Sequence, residues 1–200
     1  IMKGETMKLK TERISAFRRL SILGFEMVKG GHNFYALLDF DVTDIRRELR
    51  RRRSGGKGGS FFAFILTAIG KCLEECPEFN SMISGRRKTT FYGVDIDIPI
   101  EINKNETIYN KQCIIRNINK KTLEEIDAEI TKAKTETGVE MSYMSTTFGQ
   151  RILCSLPKAV VMVLFRFILK NHRLVKKHSG TAFVTSVSMF SNTPGYVVPY

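Results

Sequence analysis

Few side chains in this sequence have both a type and a spacing suited to chemistry, and each meets a specific objection. The three histidines, His32, His172 and His178, have no carboxylate or second ligand at triad or zinc-site spacing. A base, its orienting group and a nucleophile must be located together before catalysis is inferred, so surface or structural roles are expected for all three. Asn171-His172-Arg173-Leu174-Val175 has the outline of a catalytic His-Arg-Val stretch, but no Asp-Gly follows it. Cys72 and Cys76 stand one helical turn apart and could ligate a metal. Thiols behave as small hydrophobes, however, so core positions are expected and no metal is. Lys57 lies among glycines, yet a phosphate-binding loop needs Ser or Thr after its lysine and the sequence has Gly58. A flexible connection from Ser54 to Ser60 is the expectation.

The charge balance narrows the partners. Lys and Arg number 32 against 20 Asp and Glu, a formal net charge of +12, which favours anionic partners through the summed field. Much of the excess sits in one run from Arg46 to Arg53. A solvated helix end is expected there, ahead of a phosphate or CoA contact and of a nucleic-acid patch, because no zinc-finger spacing or aromatic RNA-binding signature accompanies it. The four cysteines form no CxxC pair and follow no signal peptide, so a reducing, cytoplasmic setting is expected. Ala159 to Leu169 is interrupted by Arg166 and falls short of the ~20 residues of a membrane span, so it reads as a buried helix and no membrane partner is expected. With 200 residues, 42% hydrophobic and 26% charged, the chain suits one packed domain.

The elements that would position any site follow from periodicity. Ile14, Phe17, Leu20, Leu23 and Met27 predict an amphipathic opening helix over Thr11 to Val28, ended by Gly30-Gly31. Asn33 to Val42 reads as a strand, with Thr43 as N-cap of a short helix from Asp44 to about Arg52. Ser60 caps an apolar helix that stops before Pro77. Arg87 to Tyr92 and Val94 to Ile102 read as strands, the second with Asp95, Asp97 and Glu101 on a polar face and Val94, Ile96, Ile98 and Ile100 on a core face. Gln112 to Arg116 is a short strand, and Thr122 caps a helix to about Lys134, closed by Gly138. Pro157 opens a last long helix through about Leu169, Lys170 to His178 is a basic connection, and Thr181 to Met189 is a strand. Strands alternating with helices imply an α/β or α+β layered domain.

Several segments, in order, carry a resemblance. Phe61 to Arg86, with its Pro77-Glu78-Phe79 turn, resembles a helix, turn and strand of the chloramphenicol acetyltransferase fold. Asn33 to Asp44, NFYALLDFDVTD, resembles the first long strand of that fold and of the catalytic domain of 2-oxo acid dehydrogenase dihydrolipoyl acyltransferases. Val94 to Ile102 and Ile114 to Ile130 are similar to the strand, the Ile-Arg-Asn-like turn and the next helix of those acyltransferases. Gly180 to Ser191, GTAFVTSVSMFS, is similar to the strand that the family writes as Gly-Thr-Phe-Thr-Ile-Ser-Asn-Leu-Gly-Met-Phe-Gly. Together the matches span about Arg13 to Phe190.

The resemblance implies an α/β fold: a chloramphenicol acetyltransferase-like two-layer sandwich, with a mixed β-sheet and helices packed on one face. It implies a CoA-dependent acyltransferase, acyl-CoA as substrate, a thiol acceptor that is dihydrolipoyl by preference, and a homotrimer with active sites between subunits. Thr185 falls where the family has a hydroxyl that bonds the tetrahedral oxyanion; Ser186 is the fallback, although strand alternation points it to the other face. Arg13 resembles the arginine that pairs with the aspartate of the histidine motif. The family's base lies in a His-x-x-x-Asp-Gly segment beyond that strand, and residues 1–200 contain none. The chain is therefore expected to be a single catalytic domain truncated at its C-terminus and inactive alone, without lipoyl or subunit-binding segments or a covalent lipoyl site, served by a separate lipoyl-domain protein. The competing expectation is a non-catalytic binding or assembly protein of the same fold.

Overall fold

The computed structural model describes residues 22–23, 34–84, 86–104, 107–135 and 155–186. The predicted opening helix, Arg13, His32, Gly138 and the end of the Thr181 to Met189 strand lie outside them, apart from Ile22 and Leu23, which are helical.

Residues 34–42 carry no strand ladder among the described residues, contrary to the strand expected there. Phe34, Leu37, Leu38 and Phe40 are all exposed. Helix α1, Thr43–Ser54, begins at the residue expected to cap it, one earlier than the expected start at Asp44; its N-cap is Val42, and Thr43 N donates to Asp41 Oδ1 at 2.9 Å. Helix α2, Phe61–Glu75, starts as the sequence dictates: Ser60 Oγ accepts from Ala63 N at 3.1 Å, and the helix ends at Cys76, ahead of Pro77.

Strands β1, Ser81–Ser84, and β2, Arg87–Thr90, form an antiparallel hairpin of their own. Strands β3, Ile96–Lys104, and β4, Thr107–Ile115, pair antiparallel, so the strand expected from Gln112 begins five residues earlier. After a short 3-10 turn, Ile118–Lys120, helix α3 spans Leu123–Thr135. Its start is a capping box, with Glu125 N donating to Thr122 Oγ1 at 3.2 Å and Thr122 N to Glu125 Oε2 at 2.8 Å. Helix α4, Lys158–Lys170, follows Pro157 as expected, but it is not the buried helix expected: Val161 alone is buried, and Val163, Leu164 and Phe167 are exposed. The expected basic connection is instead helix α5, His172–Ser179: Asn171 Oδ1 caps it by accepting from Leu174 N at 3.3 Å. Strand β5, Ala182–Phe183, then lies parallel to β3.

The sheet order is β4-β3-β5, a mixed sheet with helices packed on it, in agreement with the α/β class expected. Ile96, Ile98 and Ile100 bury one face of β3 against Ala63 and Leu66 of α2 and Ile126 and Ile130 of α3. Each such side chain removes enough apolar surface from water to contribute about 1.5–3 kcal/mol. The opposite face departs from expectation: Asp95 and Asp97 are only 3% and 2% exposed. At Asp95 this face meets the side chains of Arg116 and Lys176.

Candidate functional site

Thr185 is placed by the pairing of β5 with β3. Ala182 stands opposite Ile96 and Phe183 opposite Asp97, and Val184 N donates to the Asp97 carbonyl at 3.0 Å. Paired side chains share a face, so Ala182 lies on the core side, where Val184 also packs, and Phe183 on the side of Asp97; the expected strand stops at Phe183, and residues 184–186 follow it without strand structure. Thr185 is exposed and Ser186 half-buried. A hydroxyl at Thr185 can therefore meet a ligand or a neighbouring molecule.

The chain reaches this strand through a dense polar junction. Asp95 accepts from Arg116 Nη1 at 3.0 Å and from the Asn117 backbone N–H at 2.8 Å, and Lys176 Nζ stands 3.8 Å from it. The Arg116 guanidinium also donates to the Lys176 carbonyl at 2.7 Å and to the Lys177 carbonyl, at the end of α5. Thr181 N and Ala182 N donate to the Asp95 carbonyl at 2.6 and 3.2 Å. Two residues along β3, burial pushes the Asp97 carboxyl up from 3.8 to about 6, with Arg116 pulling the other way, and its Oδ1 is buried without a hydrogen-bond partner.

The remaining candidates are placed elsewhere. His172 Nδ1 lies 2.5 Å from Thr89 Oγ1 on the β1–β2 hairpin, and His178 is exposed in the last turn of α5. Cys72 and Cys76 are exposed rather than in the core, because they fall on the outer side of the end of α2. Among the described residues no three His, Cys, Asp or Glu gather as metal ligands. The arginine run is a solvated helix, with Arg47 on Asp44, Arg51 on Glu48 and Arg52 on Glu124 of α3. The loop after it is not a free connection: Gly59 N and Ser60 N donate to the Asp127 carboxylate at 3.2 and 3.1 Å. Amides that could have cradled a phosphate are held by an aspartate of α3. No helix of the described residues is long and apolar enough to cross a membrane.

Sequence reasoning missed the Asp95–Arg116 junction, taking Asp95 for a solvent-facing residue. The available signal was the pair of charges itself, an alternating acid on one strand and an arginine at the end of the next.

Two clefts, of about 440 and 390 Å³, are lined by residues that include Lys120 and Lys176 in the first and Arg51, Arg52 and Lys57 in the second. Thr185 lines neither.

Comparison with known proteins bears on this arrangement. Residues 12–141 match the family model of the 2-oxoacid dehydrogenases acyltransferase (catalytic domain). No curated protein matches the sequence. Among solved structures, a probable dihydrolipoamide acetyltransferase from Listeria monocytogenes is 18% identical, with 94% of this chain and 69% of that one covered and a TM-score of 0.59. The cubic core of a pyruvate dehydrogenase multienzyme complex is 15% identical over 68% of this chain and 60% of its own, with a TM-score of 0.54. A truncated catalytic core of the 2-oxoacid dehydrogenase multienzyme complex from Thermoplasma acidophilum is 16% identical over 64% and 62%, with a TM-score of 0.52. The chain thus spans about 60 to 69% of the length of these structures, and at such identities the likeness is one of fold. The family model covers well over half of the chain, and the chain belongs to the family of 2-oxoacid dehydrogenase acyltransferase catalytic domains.

Proposed function

We propose that this protein moves an acyl group between CoA and a thiol acceptor, dihydrolipoyl by preference, in a trimer whose reaction chamber lies between neighbouring copies. The observation that carries the reading is the family match over residues 12–141. The exposed position of Thr185 beyond the β5 pairing supports its part in it.

In this reading the acceptor thiolate adds to the carbonyl carbon of the acyl-CoA thioester, and the carbonyl electron pair moves onto oxygen. The Thr185 hydroxyl donates a hydrogen bond to that oxyanion, stabilising charge that develops only in the transition state. Collapse breaks the carbon–sulfur bond, and CoA leaves as a thiolate that takes up the proton lost by the acceptor. The family pattern gives that proton transfer to a histidine of a His-x-x-x-Asp-Gly segment, a pattern that residues 1–200 do not contain. His172 is not offered in its place, because its Nδ1 faces Thr89 on the separate hairpin.

The test is release of CoA thiol from acetyl-CoA in the presence of dihydrolipoamide, by the protein together with a His-x-x-x-Asp-Gly segment of the family pattern. Thr185→Ala is expected to lower kcat by roughly 10- to 100-fold with little change in KM, the pattern of a lost transition-state contact. Undiminished turnover in the variant would remove Thr185 from the site. Residues 1–200 by themselves are expected to turn over little or not at all, since they hold no base of that pattern. Absence of turnover in a protein that does carry a His-x-x-x-Asp-Gly segment after β5 would support a binding or assembly role of the same fold instead.

A further inference from the structure

We propose that Arg116 is the positioning residue of the candidate oxyanion strand, acting through Thr185 by locking the end of α5 and the start of β5 onto Asp95. The inference rests on the acyl-transfer reading only for its catalytic consequence; the lock itself is a matter of geometry.

The last carbonyls of a helix have no partners within it and carry partial negative charge. The Arg116 guanidinium meets the Lys177 carbonyl, which is one of them, and the Lys176 carbonyl, which also accepts from Gly180 N at 3.1 Å, while the same group donates to Asp95 Oδ2 at 3.0 Å. A planar fork can hold three acceptors in fixed relative positions, which a lysine ammonium on a flexible stem does not do. The other carboxylate oxygen of Asp95 accepts from Asn117 N, so neither oxygen is left to rotate toward water.

From there the backbone has no slack. Gly180 follows α5 with φ +67 and lies so close to β3 that a Cβ would stand 2.6 Å from the Asp95 carbonyl oxygen, which admits no larger residue. Thr181 N and Ala182 N donate to that same carbonyl, Asp95 N donates to Thr181 Oγ1 at 3.2 Å, and Val184 N reaches the next carbonyl on its side of β3, at Asp97. Thr185 follows directly, four residues past the anchored Thr181, a reach of roughly 13 Å of extended chain. Arg116 therefore determines where the hydroxyl of Thr185 stands without touching what it binds.

Two measurements decide this. Hydrogen exchange on the whole protein compares wild type with Arg116→Ala: the amides of Thr181, Ala182 and Val184 are expected to lose at least tenfold in protection while those within the β3–β4 ladder keep theirs. Equal protection at all sites, or uniform loss, overturns the lock. Where Arg116→Ala does not fold, Arg116→Lys serves, with the same selective loss expected because one ammonium cannot span three acceptors.

In the acyl-transfer assay, Arg116→Ala is expected to lower kcat about tenfold with KM for acetyl-CoA unchanged. Added guanidinium should restore part of the loss, and Arg116→Ala combined with Thr185→Ala should be no slower than Thr185→Ala alone. Multiplicative losses overturn the action through Thr185. No turnover even with the His-x-x-x-Asp-Gly segment present overturns the acyl-transfer reading, and exchange then decides the lock by itself.

Discussion

Asp97 shows what one buried carboxyl does to pH dependence. Its Oδ1 has no hydrogen-bond partner, and burial holds its pKa near 6 against 3.8 for an unperturbed group, opposed by the Arg116 charge. The folded state keeps this proton where the unfolded chain has lost it. Stability from this group is therefore greatest below pH 3.8, falls as pH rises from 3.8 to about 6, and stays reduced above that. A difference of this size corresponds to at most about 3 kcal/mol. Asp97→Asn is expected to flatten the pH dependence between those values and to leave the protein at least as stable at pH 7, as denaturant titrations at several pH values would show. The position of Asp97 was legible in the sequence as part of an alternating strand. Its burial was not, because a polar face looks the same in sequence whether it meets water or the guanidinium of another strand.

At the scale of elements, local signals served where the partner of a group lies within a few residues. Ser60 capping Ala63 and Thr122 with Glu125 are contacts of that range, and both appear as the residue types require. Two local readings failed, and one distant partner left no trace in the sequence. Thr43 became the first helical residue rather than the cap, and residues 170–178 were taken for a connection because their basic residues outnumber the apolar ones, although Asn171 caps a helix there. The glycine loop is the plainest case, since nothing within Ser54 to Ser60 reveals that Asp127, almost 70 residues on, accepts two of its amides. Asp127→Ala is expected to cost about 2 kcal/mol, the value of hydrogen bonds to a charged, half-buried acceptor, and to speed hydrogen exchange at Gly59 and Ser60. Asp127→Asn should recover part of the loss. An Ala variant as stable as wild type would show that the loop does not need this anchor.

For the molecule as a whole, the α/β class and the core of β3 with two helices were readable from periodicity, and the family was readable from the order of several weak matches. Thr185 was reachable only through that resemblance, since a strand threonine has no distinguishing spacing of its own. The core predicts its own weak point: Leu66 is fully buried in the cluster with Ile96, Ile98 and Ile126. Leu66→Ala should destabilise the fold by about 3 kcal/mol, measured as a lower denaturation midpoint at unchanged slope. A loss under about 1 kcal/mol would mean that α2 does not form the core as described.

The anchoring of the glycine loop also bears on how this part of the chain can change in length. At Gly56 an added Cβ would meet nothing within 4 Å, whereas at Gly59 it would stand 2.9 Å from Leu123 Cδ2. Extra residues entering before Lys57 would bulge into water and leave the helices where they are. The same insertion after Gly58 would pull the start of α2 out of register with α3, so the two halves of one short loop differ in their openness to insertion, proteolytic nicking and evolutionary drift.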